Sequence, residues 1–316
     1  MRPALCLSVL FGTALSAGCG GSTAAPTPSG SPTFVVGQVA TDANGWMEYT
    51  PGDAPLVIIA PHGGTQTPTE LPDRTCSGCE TVNDANTQDL ARRLADAFYT
   101  RTGARPHLVV NRLSRKKFDA NRDFPEASGG TATLAAPWAW FHAVIDSAEA
   151  RIVKKTGRGL VIDLHGHAHD VARLEIGYLL NDPELRLSDA ALTANGAMAR
   201  TSIARLATDT KSAPDRGVAL LRGANSLGAL IVAAGYPAVP SPTDQAPLVG
   251  QLYFEGGYNT ARHGSRDGGA VDAIQIECHY DNVRDSQTAR TNFAWALSGA
   301  LATYLDKHYG WKGPAS

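Results

Sequence analysis

Gly159-Leu160-Val161-Ile162-Asp163-Leu164-His165-Gly166-His167 is an apolar run that stops at two histidines. It is short, rich in aliphatic and β-branched residues and bounded by glycine, which reads as a buried strand rather than a helix. The pattern recurs on either side of it in the chain. Leu56-Val57-Ile58-Ile59-Ala60 leads into Pro61-His62-Gly63-Gly64, and Ala273-Ile274-Gln275-Ile276 leads into Glu277-Cys278-His279. In open α/β sheets, ligand sites form in the crevice beyond the carboxyl ends of the strands. His62, His165 and Glu277 can therefore converge from distant parts of the chain, and each is a residue type that binds a metal or moves a proton.

The segments between these runs read as helices. Leu90, Leu94, Ala97 and Phe98 fall at helical spacing within Asp84 to Thr100, Gly103 supplies a stop, and His107-Leu108-Val109-Val110-Asn111 follows as a strand. Trp138 to Lys155 gives a second helix, feeding the strand that ends at His165. Ala172 to Leu180 reads as an extended segment able to pair at the sheet edge, and further helices are expected over Ser188 to Ala207 and Ser286 to His308. Such alternation predicts the α/β class, with helices on both faces of a sheet.

The first residues bear on location. Met1-Arg2 is a short basic start, Ala4 to Ala14 is apolar but too short to span a membrane, and Ser16-Ala17-Gly18-Cys19 closes the stretch with small residues. Residues 1–19 are therefore expected to be an export signal. The Gly18-Cys19 ending resembles a bacterial lipoprotein box, which makes Cys19 the expected lipidation site, with ordinary secretory cleavage as the alternative. Residues 20–33, rich in Gly, Ser, Thr, Ala and Pro, read as a flexible tether. Residues 34–316 read as a single globular domain. The expected location is a bacterial membrane facing the periplasm or cell surface, with the membrane a partner only through the lipid anchor.

A formal charge of −2 with interspersed signs carries no nucleic-acid footprint. No later run approaches membrane-spanning length. In an exported chain Cys76 and Cys79 read as a short-range disulfide, with a redox centre or half of a zinc site as the alternatives that CxxC spacing allows, and Cys278 as a buried small hydrophobe.

Several segments are recognisable in order: Pro61-His62-Gly63-Gly64, Asp119-Ala120-Asn121-Arg122-Asp123, Asp163-Leu164-His165-Gly166-His167, Phe254-Glu255-Gly256-Gly257-Tyr258 through Arg262-His263-Gly264, and Gln275-Ile276-Glu277. They resemble the signature segments of the N-formylglutamate amidohydrolase family, from about Ile58 to Tyr304. That family is related in fold to the zinc-dependent carboxypeptidases and to the aspartoacylase and succinylglutamate desuccinylase group. The resemblance implies a three-layer α/β/α sandwich with a mixed, mainly parallel sheet. It also implies one zinc ion and hydrolysis of an amide next to a carboxylate.

A catalytic zinc takes three protein ligands from His, Asp or Glu and leaves a position for water. His62 and His165 are the nitrogen candidates, each with glycine behind it to permit close approach of a ligand. The related carboxypeptidases carry a glutamate three positions after the first histidine, where this chain has Thr65. The third ligand is therefore expected at Asp84, which the resemblance supports and which an N-cap role would also explain. Glu80 and Glu70 are the fallbacks. Glu277 is the expected general base, within reach of the attacking water and then of the leaving nitrogen.

By the same resemblance Asn121 and Arg122 contact substrate, a planar guanidinium gripping a carboxylate through two hydrogen bonds. Glu277 and Arg122 are thus the expected catalytic residues. Arg112 is expected as a second anion contact, the rest of the basic run as a solvated face, and Asp119 and Asp123 as holders of Arg122. Tyr258, Arg262 and His263 are expected in a loop over the site as substrate-binding or oxyanion-stabilising groups. His167 and His169 are expected to support rather than ligate.

The expected function is zinc-dependent hydrolysis of a small N-acyl amino acid or peptide-like substrate bearing a free carboxylate. Export turns the expectation away from formylglutamate itself. The alternatives are a zinc carboxypeptidase or γ-glutamyl hydrolase on the same fold, or a noncatalytic surface lipoprotein that binds a ligand.

Overall fold

Alternate residues of a single strand feed two different cores. In β3 (Leu56–Ala60), Leu56, Ile58 and Ala60 pack with Leu90, Leu94 and Phe98, whereas Val57 and Ile59 pack with Phe141 and Ile145 on the opposite face. This is the period of two that a strand imposes on its side chains. It makes the sheet the middle of three layers. One face is covered by α1 (Thr87–Thr102) and the C-terminal helix Gln287–Tyr309, the other by α2 (Ala135–Thr156). The computed structural model describes residues 34–76, 78–209 and 216–314, so the expected export signal, Cys19 and the tether lie outside the described residues.

The remaining strands are β1 (Ala40–Thr41), β2 (Met47–Thr50), β4 (His107–Asn111), β5 (Gly159–Gly166), β6 (Leu174–Gly177), β7 (Ala238–Val239) and β8 (Val271–Cys278). They form one sheet in the order β1-β2-β4-β3-β5-β8-β6-β7. The central β4-β3-β5-β8 strands are parallel, while β2 joins β4 and β6 joins β8 in antiparallel fashion. The fold is thus a mixed, mainly parallel sheet between two helical layers; the alternation of runs and helices predicts the layers, and the family resemblance implies the mixed sheet.

Two expectations need correction. The segment Ala172 to Leu180 contributes β6, which lies inside the sheet between β8 and β7 rather than at its edge. The single helix expected over Ser188 to Ala207 is broken into α4 (Asp189–Ala194), a 3-10 turn at Ala197–Arg200 and α5 (Ala204–Thr208), following α3 (Asp182–Leu185). Gly196 turns left-handed at φ 67°, and Thr201 is extended with Ser202 buried behind it. The Ser202 carbonyl accepts from the N–H groups of Ser265 and Ala273, so packing against β8 outweighs local helix propensity. Then α6 (Ala219–Arg222), α7 (Leu227–Ala233) and α8 (Tyr258–His263) lead to β8, and α9 (Gln287–Tyr309) closes the chain. Cys76 and Cys79 are disulfide-bonded and Cys278 is buried and free.

Candidate metal centre

The period of two also sorts the polar residues. In β5, Leu160, Ile162 and Leu164 face the α1/α9 core, which sends Asp163 and His165 to the opposite face beside Val161. In β8, Ile274 and Ile276 do the same and leave Gln275 and Glu277 on that face. Parallel register sets His165 directly opposite Glu277. His62 follows the end of β3, and Asp84 sits three residues before α1.

These side chains meet. His62 Nδ1 is 3.1 Å from His165 Nδ1 and 3.3 Å from Asp84 Oδ2, and His165 Nδ1 is 3.1 Å from the same oxygen. All three residues are buried. Asp84 does not cap α1, whose N-cap is Asn86 in the left-handed region at φ 68°. Instead its Oδ2 also accepts from the Gly166 N–H at 3.1 Å. The fallback Glu80 spends its carboxylate on the backbone N–H groups of Thr81 and Val82, and Glu70 is exposed. The glycines behind His62 serve a different contact from the one expected. A Cβ on Gly63 would stand 2.4 Å from Gln88 N and one on Gly64 2.3 Å from Leu113 O, so they admit neighbouring backbone rather than a ligand.

Each ring is fixed from its far side by a carboxylate. His62 Nε2 lies 2.6 Å from Asp119 Oδ1, and His165 Nε2 lies 3.1 Å from Asp163 Oδ2. With a proton donated from each Nε2, both Nδ1 lone pairs face the shared space, the arrangement found behind metal-bound histidines. Burial opposes the charged form of His165, yet Asp163, Asp84 and Glu277 together hold its pKa well above the usual value. Burial likewise opposes ionisation of Asp84 and Asp119. His62 and His165 nevertheless hold Asp84 well below the carboxylate range, and His62 and Arg115 do the same for Asp119.

Glu277 behaves oppositely. Its burial, only partly offset by His165, pushes its pKa well above the carboxylate range. Oε1 accepts from Gln275 Nε2 at 3.0 Å and lies 4.0 Å from His165 Nδ1, while Oε2 is buried with no partner.

The donor set fits a divalent cation. Asp84, Asp119, Asp163 and Glu277 are all buried. Among the described residues, the permanent cations in contact with them are Arg115, on Asp84 and Asp119, and Arg74, on Asp119. Buried carboxylates without full compensation are costly, and a cation among His62, His165 and Asp84 relieves that cost.

The chain has no family-model match and no match among curated proteins. Solved structures do match. N-formylglutamate amidohydrolase from Ralstonia eutropha JMP134 is 13% identical, with 84% of this chain and 99% of that chain covered at a TM-score of 0.50. This chain has the N-formylglutamate amidohydrolase fold. A gene product from Agrobacterium tumefaciens is 15% identical, with 81% of this chain and 92% of that chain covered at a TM-score of 0.46.

The other expected site residues lie outside the cluster or serve it differently. Asn121 is a bracket: its Nδ2 is 3.4 Å from His165 Nε2, and its Oδ1 accepts from the Asn259 N–H at 2.7 Å. Asp119 holds His62, not Arg122, which pairs with Glu126 at 3.1 Å near the surface. Arg112 donates to the Gly45 carbonyl in the turn before β2. Tyr258, Arg262 and His263 belong to a helix, not an open loop. Tyr258 packs its ring 5.6 Å from His142, while Arg262 and His263 pair with Asp146 and Glu149 of α2. The latter pairs line a separate cleft with Gly268 to Val271, at the amino-terminal end of β8 and thus away from Glu277. His167 gives Nε2 to the Arg173 carbonyl and accepts the His169 N–H at Nδ1, and His169 pairs with Glu175, so these nitrogens are engaged within the protein rather than at the His62–His165 cluster.

Two contributors, Asp163 and Arg115, escaped the sequence reading, and the partner of a third, Asp119, was misassigned. Asp163 lies two residues before His165 on the same strand face, a signal that strand alternation carries. Asp119 precedes Asn121 in a recognisable segment but gives no hint of its partner. Arg115 is i−4 to Asp119 within a basic run, and nothing in that run distinguishes it.

Proposed function

We propose that the protein is a metal-dependent hydrolase that cleaves an amide bond in a small N-acyl amino acid or peptide-like substrate, with zinc as its metal. The observation that carries this reading is the convergence of His62 Nδ1, His165 Nδ1 and Asp84 Oδ2 beside a buried, unpartnered Glu277 Oε2. The fold shared with N-formylglutamate amidohydrolase supports the reaction class.

In this reading His62, His165 and Asp84 hold the ion, which supplies a Lewis acid for the scissile carbonyl and lowers the pKa of water. Glu277 takes the proton of the attacking water and delivers it to the leaving nitrogen, a role suited to a carboxylate whose proton affinity burial has raised. Asp119 and Asp163 hold the two rings in the tautomer that keeps both Nδ1 atoms free of protons. Asn121 accepts from the Asn259 N–H at the start of α8 and sets its amide against the His165 ring. For a substrate carboxylate, the guanidinium beside these residues is that of Arg115. Arg115 lines the cleft beside Asp84, whereas Arg122 donates to the Asn121 carbonyl and pairs with Glu126 near the surface. Export as a lipid-anchored protein, read from residues 1–19, belongs to the same proposal and makes extracytoplasmic substrates the first to screen.

The test is release of free amine from a panel of N-acyl amino acids and dipeptides by the zinc-loaded protein. Turnover that disappears on chelation and returns with zinc is the expected result. A folded, zinc-loaded protein inert across the panel would overturn the reading.

A further inference from the structure

A cleft of 360 Å³ opens onto Asp84 and Gly166, and its walls do not match a substrate with two carboxylates. Val82, Phe254 and Tyr280 line it, and they are 70%, 44% and 39% exposed. A substrate group covering them would remove apolar surface from water, which is favourable in proportion to the area covered. Two of the three are already held in place. The Phe254 ring stacks on His169 with centroids 4.6 Å apart and planes at 25°, and the Arg284 guanidinium stands 5.4 Å over the Tyr280 ring. Rings fixed before binding lose little freedom when a ligand arrives.

The charges point the same way. Arg284 and Arg115 are the arginines of the cleft wall. Arg284 directs Nε, Nη1 and Nη2 to the carbonyls of Cys278, Ala85 and His167, so every nitrogen of its fork is engaged by backbone. Arg115 is drawn to Asp84 and Asp119, whose negative charge it offsets. Glu80 adds a carboxylate to the same wall. One substrate carboxylate can be accommodated beside Arg115, but a second in the same cleft meets Glu80 and no further arginine or lysine of its wall that is free of backbone.

We propose that this cleft selects substrates whose side chain next to the scissile amide is apolar or aromatic, with Val82, Phe254 and Tyr280 as specificity-determining residues, and that it disfavours dicarboxylates such as N-acyl glutamates. This rests on the amide-hydrolase reading of the adjoining centre.

The test separates binding from turnover. Calorimetric titration of the zinc-loaded full chain carrying Glu277→Gln should give an affinity for N-acetylphenylalanine about ten-fold or more above that for N-acetylglutamate, equivalent to about 1.4 kcal/mol. Adding Phe254→Ala and Tyr280→Ala should weaken N-acetylphenylalanine far more than N-acetylglycine, with the melting temperature held because both rings are partly exposed. Glu80→Gln should raise the affinity for N-acetylglutamate. Equal or tighter binding of N-acetylglutamate, a preference that survives loss of both rings, or no binding of either ligand by the folded protein would overturn the proposal. If the wild-type chain hydrolyses N-acetylglutamate with the higher kcat/KM, the hydrolase reading stands and this inference falls. If it hydrolyses neither while the binding preference holds, the hydrolase reading falls and the cleft's preference stands as ligand selection alone.

Discussion

Two pairs of imidazoles inside this protein have the same separation and opposite electrostatics. His62 and His165 bring Nδ1 atoms to 3.1 Å, and His142 and His263 bring Nδ1 and Nε2 to 3.1 Å. What differs is the far side of each ring. Asp119 and Asp163, each nearly inaccessible to solvent, hold the outer nitrogens of the first pair, and Asp84 closes the inner side. In the second pair His263 faces the more exposed Asp146 and Glu149, while His142 Nε2 has no partner and its ring lies against Trp138, Phe141 and Tyr258. The carboxylates hold His165 toward its charged form, whereas burial drives the pKa of His142 down to about 2. Contact between two histidines therefore does not set the electrostatics of the pair; the buried carboxylates behind them do.

The sharpest way to separate the pairs is through the acid that only the first possesses on the facing strand. Glu277→Gln should lower kcat by about 10²–10⁴-fold, the usual contribution of a general base, while zinc content stays at the parent level. Turnover at the parental rate would remove Glu277 from the mechanism.

A smaller effect probes the far-side carboxylates. Asp163→Asn or Asp119→Asn should each weaken zinc binding by about 10–100-fold, measured by competition with a chromophoric chelator, whereas Glu149→Gln behind His263 should leave it unchanged. If Asp163→Asn binds zinc as tightly as the parent, the carboxylate behind the ring is not what distinguishes the two pairs.

The smallest effect lies in pH dependence at the second pair. Because the pKa of His142 is depressed in the folded state, its stabilising share is fully present above its unfolded value and is lost as pH falls from about 6.5 toward 2. His142→Phe keeps the aromatic packing and deletes the titration. The stability deficit of this variant should therefore shrink by about 2 kcal/mol between about pH 6.5 and pH 5 in chemical denaturation. A deficit that stays constant across that range would contradict burial as the dominant influence on His142.

Much of the first pair was legible because strands repeat every two residues and end where sites form. The runs before His62, His165 and Glu277 are β3, β5 and β8, and their carboxyl ends do meet. Asp84 was legible as an acid before α1, although its reach to Gly166 depends on a loop path that no pattern encodes. Asp163 stayed hidden because a central strand covered by two cores reads as a continuous apolar run, so its parity with His165 attracts no notice. Arg262 and His263 were misplaced for a geometric reason. The residues from Tyr258 to His263 form a helix, and at about 1.5 Å per residue five steps carry the chain roughly 7.5 Å along α2, away from Asn121. Arg112 was preferred over Arg115 because it directly follows β4. The turn at Gly45 captures Arg112, and the charge of Asp84 and Asp119 captures Arg115.

The most direct measurement is metal content by elemental mass spectrometry after zinc loading, on the full chain, on His62→Ala/His165→Ala and on His142→Ala/His263→Ala. One equivalent of zinc in the parent and in the second variant, with none in the first, is the predicted result. Zinc retained by His62→Ala/His165→Ala, or a folded parent that binds none, would contradict the assignment of the centre.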